Sequence, residues 1–331
     1  MAGPSVFRKL TFTLVTSLVI FGSVEAGLRA AGWPQPTGRF AHREVYWVSD
    51  PGLSEKVFPH NEEGRSFKVS TDANGLRAPL HAQDKPAGTS RILTLGCSTT
   101  FGWGVDDAES YPARLEALYR EAGRSNVEVI NGGQPGYTSF QGLWLWSETL
   151  RHYSPDVVLI GYVVQDARRA AYTDRSQAAL QQDARFLKDN VLYQMRTYLG
   201  LRALLGGIQI KAKERTEGGE EGEFRVPPED YAHNLRALVS AVREIGATPV
   251  LFGYPLEREG YTGLHRRILA AAGTELGAAV FDPQAEMERE SNARTLYFPR
   301  DRGHANAEGN DLIARQVFAF LEKEALLGAS P

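Results

Sequence analysis

The chain has 331 residues, 42% of them hydrophobic, with 37 basic and 40 acidic side chains and a net charge of −3. That content supports one large packed domain or two small ones and excludes a disordered chain, while the intermixed charge leaves no basic footprint for nucleic acid. A single cysteine, Cys97, rules out an intramolecular disulfide, and seven scattered histidines without paired-ligand spacing offer no metal site.

Arg8 and Lys9 precede an apolar run from Leu10 to Val24, which is followed by Glu25 and Arg29. Basic residues ahead of an apolar run hold the N-terminus in the cytoplasm and send the following chain across the membrane. The run has the length of a signal-peptide core, with Val24-Glu25-Ala26 as a cleavage-like site. Extension to Ala31 reaches the ~20 residues of a membrane span by admitting Glu25 and Arg29 as an i, i+4 pair. Residues 1–32 are therefore expected to form a signal-anchor, with a cleaved signal peptide as the alternative, and the body of the protein is expected to be extracytoplasmic.

Residues 33–90, rich in proline, glycine and charge, read as a linker and small β decoration, with alternation at Phe67–Thr71 and a turn at Asn74-Gly75. The apolar run Arg91–Leu95 is a strand that breaks at Gly96-Cys97-Ser98. Tyr111, Leu115, Leu118 and Tyr119 then mark a helix. Strands are expected at Val127–Ile130, Asp156–Val163, Thr248–Phe252 and Ala278–Asp282. Helices are expected around Ser139–His152, Leu235–Val242, Leu264–Leu276 and from Ala307 onward, where Ile313, Val317 and Leu321 share a face. From Ala167 the pattern weakens into a helical stretch and then a flexible loop, Lys211–Phe224, an insertion over about 167–225 expected to shape the entrance to a site. Alternating strands and helices give a three-layer α/β/α domain over 91–331 around a five-stranded parallel, flavodoxin-like sheet.

Ligands bind such sheets beyond the carboxyl ends of the strands. Ser98 follows the first strand, Asn131-Gly132-Gly133-Gln134-Pro135-Gly136 the second, and Gln165-Asp166 the third. Asp301 and His304 precede the last helix. A serine needs a base to take its proton, and the base needs an acid to orient it, roles that His304 and Asp301 could fill. The plainer reading makes Ser98 and Asp301 caps and His304 a surface residue. The glycines fit no dinucleotide fingerprint or P-loop, and Thr100 breaks the Gly-x-Ser-x-Gly elbow. Cys97, one position off the turn, is expected to point into packing.

From Arg91 to Leu321 the chain resembles the SGNH/GDSL hydrolase family. Gly96-Cys97-Ser98-Thr99-Thr100-Phe101-Gly102 is similar to its Gly-Asp-Ser block, with cysteine for the usual aspartate. Asn131–Thr138 is similar to its glycine block, and Asp301-Arg302-Gly303-His304 to its Asp-x-x-His block. Where the family has Gly-x-Asn-Asp, this chain has Val163-Val164-Gln165-Asp166. The resemblance implies Ser98 as nucleophile, His304 as base, Asp301 as its partner, and Ser98, Gly136 and Gln165 as oxyanion donors, Gln165 carrying its amide on a stem one methylene longer. Val69–Arg77 is similar to a segment of membrane-anchored bacterial members. It implies a serine esterase, without metal or cofactor, cleaving an O-acyl or O-acetyl ester of a cell-surface glycan or lipid. An O-acyltransferase on extracellular polysaccharide and a noncatalytic glycan-binding or assembly protein are the alternatives. The implied location is the bacterial cytoplasmic membrane, single-pass and facing the periplasm, or secretion after cleavage.

Overall fold

The computed structural model describes residues 4–33, 39–42, 46–60, 62, 64–183, 195–201, 204 and 222–327. Its contacts divide the chain into two units, one of residues 1–39 with 179–221 and one of residues 40–178 with 222–331. In the first unit, helix α1 (Pro4–Ala30) exposes its apolar side chains. Over Val6–Ala30 its mean hydropathy is 1.5, so by length and composition it is able to cross a membrane. Near its end the Glu25 carboxylate accepts hydrogen bonds from the backbone N–H groups of Arg196 and Thr197, at 2.9 and 2.8 Å. The insertion expected beside the site is thus split. From Ala179 it groups with α1, only its base belongs with the sheet, and the loop read at Lys211–Phe224 lies outside the described residues up to 221.

The second unit is built on five parallel strands: β1 (Ser90–Gly96), β2 (Val127–Gly133), β3 (Val157–Gly161), β4 (Thr248–Phe252) and β5 (Ala279–Phe281). They lie in the order β5-β4-β3-β1-β2. β3 and β4 are near-continuous apolar runs because a parallel sheet is covered on both faces, while β2, at the sheet edge, carries Glu128 and Asn131. Successive side chains face opposite layers. Ile92, Val129, Leu159 and Val250 pack with Tyr111, Leu115 and Tyr119 of α3 (Tyr111–Glu121) and with Ile313, Val317 and Leu321 near the C-terminus. Leu93, Ile130, Ile160 and Leu251 pack on the other side, against Leu145 and Trp146 of α4 (Ser139–Glu148) and Leu235, Leu238 and Val242 of the helix Pro228–Glu244. Truncating such a buried leucine to alanine typically costs about 2–5 kcal/mol.

Several boundaries differ from the sequence reading. β2 continues through Gly132 and Gly133, which pair with Leu95 and Gly96, so the glycine loop is shorter than its composition suggests. After β3 the chain first forms a strand, Arg169–Ala170, paired with Glu223–Phe224, before the helix Asp174–Asp183. Asp301–Ala305 is a strand paired with Tyr297–Phe298. The part of the proposed linker from 46 to 90 is packed onto the sheet unit. Trp47 Nε1 donates to the Pro135 carbonyl at 3.0 Å, and Phe67 and Val69 are buried with Phe101.

Candidate active site

β1 ends at Gly96, and after Cys97 the short helix α2 (Ser98–Phe101) begins at once. It lies so close over the strand ends that a Cβ on Gly133 would stand 2.3 Å from the Phe101 nitrogen. Only glycine permits that approach. The buried Arg77 guanidinium holds the far end of α2, donating to the carbonyls of Phe101 at 2.7 Å, Gly102 at 2.5 Å and Val105 at 2.6 Å, and to Asp107 at 2.9 Å.

This turn places Ser98 Oγ 2.8 Å from Nε2 of His304, whose Nδ1 is 2.7 Å from Oδ2 of Asp301. Burial works against ionisation of Asp301, but the hydrogen bond and charge of His304 outweigh it and hold the carboxyl below its usual range. An ionised carboxylate only accepts, so Nδ1 carries the proton and Nε2 is left to accept from the Ser98 hydroxyl. Asp301 and His304 sit on the polar strand before the last helix, Ala307–Lys323, which Asn306 caps by accepting from Gly309 N–H at 2.9 Å. Neither residue is the turn cap or bare surface side chain of the plainer reading.

Ser98, Gln165, Asp301 and His304 line one pocket of about 450 Å³; Gly136 is not on its lining. Gly136 adopts a left-handed conformation, φ 81°, in the turn after β2. Among the described residues, no acceptor takes the N–H of Ser98 or Gly136. Gln165 and Gly136 are joined through a residue that the sequence reading missed. Arg225 Nη1 donates to the Gly136 carbonyl and to Gln165 Oε1, each at 2.9 Å, while its Nε and Nη2 reach the Asp174 carboxylate at 3.0 and 2.8 Å. Arg225 lies 60 positions from Gln165 in a stretch without a motif, so no local signal marks it.

Asp166, beside Gln165, is fully buried and accepts from Ser139 N–H at the start of α4, at 2.9 Å. Burial, reinforced by the charge of Asp174 and opposed by that hydrogen bond and by Arg225, pushes its carboxyl up to about 7. Cys97 packs in the core, where burial pushes its thiol up. His60 is buried beside Phe298, with ring centroids 4.3 Å apart, and was not singled out from the sequence. Among the described residues no cluster of His, Cys, Asp and Glu could hold a metal ion.

A serine, an imidazole and a carboxylate in hydrogen-bonded series, at the carboxyl edge of a doubly wound sheet, form the side-chain arrangement used by serine hydrolases. The chain belongs to the GDSL-like lipase/acylhydrolase family, whose model matches residues 94–312, and is an ester-hydrolysing enzyme. No curated protein matches the sequence. Similar solved structures include an α/β hydrolase from the metagenome of Lake Arreo, Spain, at 16% identity and TM-score 0.48, covering 75% of this chain and 100% of its own. A catalytic mutant of an acetylxylan esterase from Geobacillus stearothermophilus is 17% identical with TM-score 0.47, covering 74% and 97%. A psychrotrophic esterase from Pseudoalteromonas sp. is 18% identical with TM-score 0.46, covering 71% and 98%.

Proposed function

We propose that the protein is a membrane-anchored serine esterase that removes a short O-acyl group, such as acetyl, from a cell-surface glycan. The observation that carries this reading is the unbroken series from Ser98 Oγ through His304 to Asp301, at 2.8 and 2.7 Å. Ser98 Oγ attacks the ester carbonyl as its proton passes to His304 Nε2, and Asp301 stabilises the imidazolium that forms. The amides of Ser98 and Gly136 and the side-chain amide of Gln165 are assigned to the tetrahedral oxyanion. Collapse breaks the bond to the alcohol, which leaves with the proton from His304. Water then gives a proton to His304 and attacks the acyl-serine, releasing the carboxylic acid and restoring Ser98.

A short acyl group suits the pocket because its apolar lining is limited to Val164, Leu256 and the ring of Tyr261. An uncleaved anchor is supported by the bonds from Arg196 and Thr197 to Glu25, which occupies the middle of the cleavage-like tripeptide. The body then lies on the extracytoplasmic side, since Arg8 and Lys9 hold the N-terminus inside. The test is hydrolysis of 4-nitrophenyl acetate by the full chain in nonionic detergent. Ser98→Ala should lower kcat by about 10⁴-fold or more, and a fluorophosphonate should label the wild type only. Undiminished turnover by Ser98→Ala would overturn the assignment.

A further inference from the structure

Three arginines, Arg168, Arg258 and Arg300, line the Ser98 pocket, and all three are exposed. Among the described residues no carboxylate accepts from their guanidinium groups, although the backbone N–H of Arg300 donates to the Glu62 carboxylate at 3.2 Å. Arg258 donates to the neutral Asn292 side chain at 3.0 Å, and Arg168 lies in hydrogen-bond reach of the Tyr261 hydroxyl. Several other surface arginines are held by acids, Arg236 by Glu275, Arg294 by Glu290 and Arg315 by Asp311, each at 2.8 Å, while Arg169 and Arg243 donate to backbone carbonyls. Among the described lining residues the carboxylates are Glu257, which is engaged elsewhere, and Asp301, which His304 engages. The mouth of the pocket therefore carries an excess of positive charge with unused guanidinium donors, although the chain as a whole is net negative.

We propose that the ester taken by this site is carried on an acidic saccharide, whose carboxylates are recognised by Arg168, Arg258 and Arg300. The inference rests on the esterase reading of Ser98 and adds the chemistry of the alcohol. Guanidinium groups bind carboxylates through paired, charge-assisted hydrogen bonds, and donors left without an internal acid are available for an external one. A saccharide fits better than an anionic phospholipid. Val164 and Leu256 are almost wholly buried and give no long apolar groove for a fatty chain, whereas Tyr261, 48% exposed, offers a ring face on which a sugar can stack. The three arginines come from different loops, after β3, after β4 and before the last strand pair closes. They therefore lie around the mouth and suit a substrate with charges on more than one sugar unit.

The test compares two oligosaccharides bearing the same acetyl ester, a neutral acetylated xylo-oligosaccharide and an acidic acetylated oligogalacturonate, using the full chain in nonionic detergent. At low salt the acidic substrate should have a kcat/KM about tenfold or more above the neutral one. That ratio should fall toward unity in 0.5 M NaCl, where the screening length is only a few ångströms, and in the variant R168Q/R258Q/R300Q, whose substitutions are all on exposed side chains. A parallel titration of Ser98→Ala protein with unacetylated oligogalacturonate and xylo-oligosaccharide reads the same preference without turnover. Equal affinity in that titration, a ratio untouched by the triple substitution, or preferred release of fatty acid from dioleoylphosphatidylglycerol vesicles overturns the inference. Those results leave the esterase reading standing if 4-nitrophenyl acetate is still cleaved. Absence of that cleavage, with tighter binding of oligogalacturonate retained, would remove the esterase reading and support the charge preference.

Discussion

Arg225 holds Gln165 by its amide oxygen, with Nη1 2.9 Å from Oε1. A guanidinium only donates, so this contact fixes which end of the amide is oxygen and leaves Nε2 free to donate elsewhere; among the described residues it has no acceptor. The longer stem of glutamine is matched by an arginine that spans from the Gly136 carbonyl to it. Replacing Gln165 by Asn should therefore lower kcat, because the shorter side chain loses Arg225 without regaining a donor position. Gln165→Glu keeps an acceptor for Arg225 and removes the N–H. It should lower kcat on 4-nitrophenyl acetate by about 10²–10³-fold with KM little changed, the usual cost of one oxyanion donor. A rise in kcat for Gln165→Asn would show that Gln165 is displaced from the reacting centre.

Arg77 predicts a different kind of loss. Its removal leaves the Val105 carbonyl without its donor and the carbonyls of Phe101 and Gly102 with only long bonds of 3.4 Å, from Asn131 Nδ2 and the Val105 N–H. Each buried group stripped of its partner costs about 1–3 kcal/mol. Arg77→Met should lower unfolding stability by several kcal/mol and loosen α2, so that kcat falls as well. Urea denaturation of the full chain and the 4-nitrophenyl acetate assay check both effects, and a stable Arg77→Met protein with normal kcat would show that α2 holds Ser98 without it.

The order of layers was legible because parallel strands covered on both sides read as unbroken apolar runs, and because helices with a buried stripe keep their period, as at Leu235, Leu238 and Val242. Ser98 is expected at the site because ligands meet such a sheet beyond its strand ends, and Asp301 and His304 because Asp301-Arg302-Gly303-His304 resembles a family block ahead of the last helix. What escaped was set by tertiary pairing. Asp301–Ala305 has no strand-forming composition and becomes a strand only by pairing with Tyr297–Phe298. Gly132 and Gly133 carry turn composition yet continue β2 beside Leu95 and Gly96. Arg225 reaches the site because Glu223–Phe224 pairs with Arg169–Ala170, closing an insertion whose sequence has no periodicity.

Asp166 gives a pH signature. Its folded carboxyl is pushed up to about 7 from 3.8 by burial, so between those values the folded protein holds a proton that the unfolded chain has released. Stability from this group is complete below about pH 4 and is lost as pH rises toward and through 7. Asp166→Asn keeps an oxygen for the Ser139 N–H and has no charge to bury beside Asp174 and Arg225. Relative to wild type, its Tm should rise by about 3–8 °C between pH 5 and pH 8. A Tm difference that is the same at both pH values would mean that Asp166 does not titrate in this range.

Glu25 ties α1 to the rest of its unit. Its carboxylate accepts from the N–H groups of Arg196 and Thr197 at 2.9 and 2.8 Å, from the Thr197 hydroxyl at 2.9 Å, and from Arg29 Nε at 2.8 Å. The first turn of a helix has N–H groups without internal acceptors, and an acidic oxygen placed there supplies one while matching the positive end of the helix. The turn over 196–201 receives that cap from a residue some 170 positions earlier in the chain. Loss of a cap costs about 0.5–2 kcal/mol, which raises the population of locally opened chain about 2- to 30-fold. Glu25→Ala should therefore speed amide exchange and protease nicking around 195–201 by that factor, with Glu25→Gln intermediate because one acceptor oxygen remains. The sheet unit should be unaffected, and amides of β1 and β3 serve as the internal reference. Because the cap is supplied from the cleavage-like tripeptide, the same argument predicts that protein extracted from membranes retains α1, which its intact mass reads directly. A mass beginning after Ala26, or exchange at 195–201 indifferent to Glu25→Ala, would show that this contact does not hold the unit together.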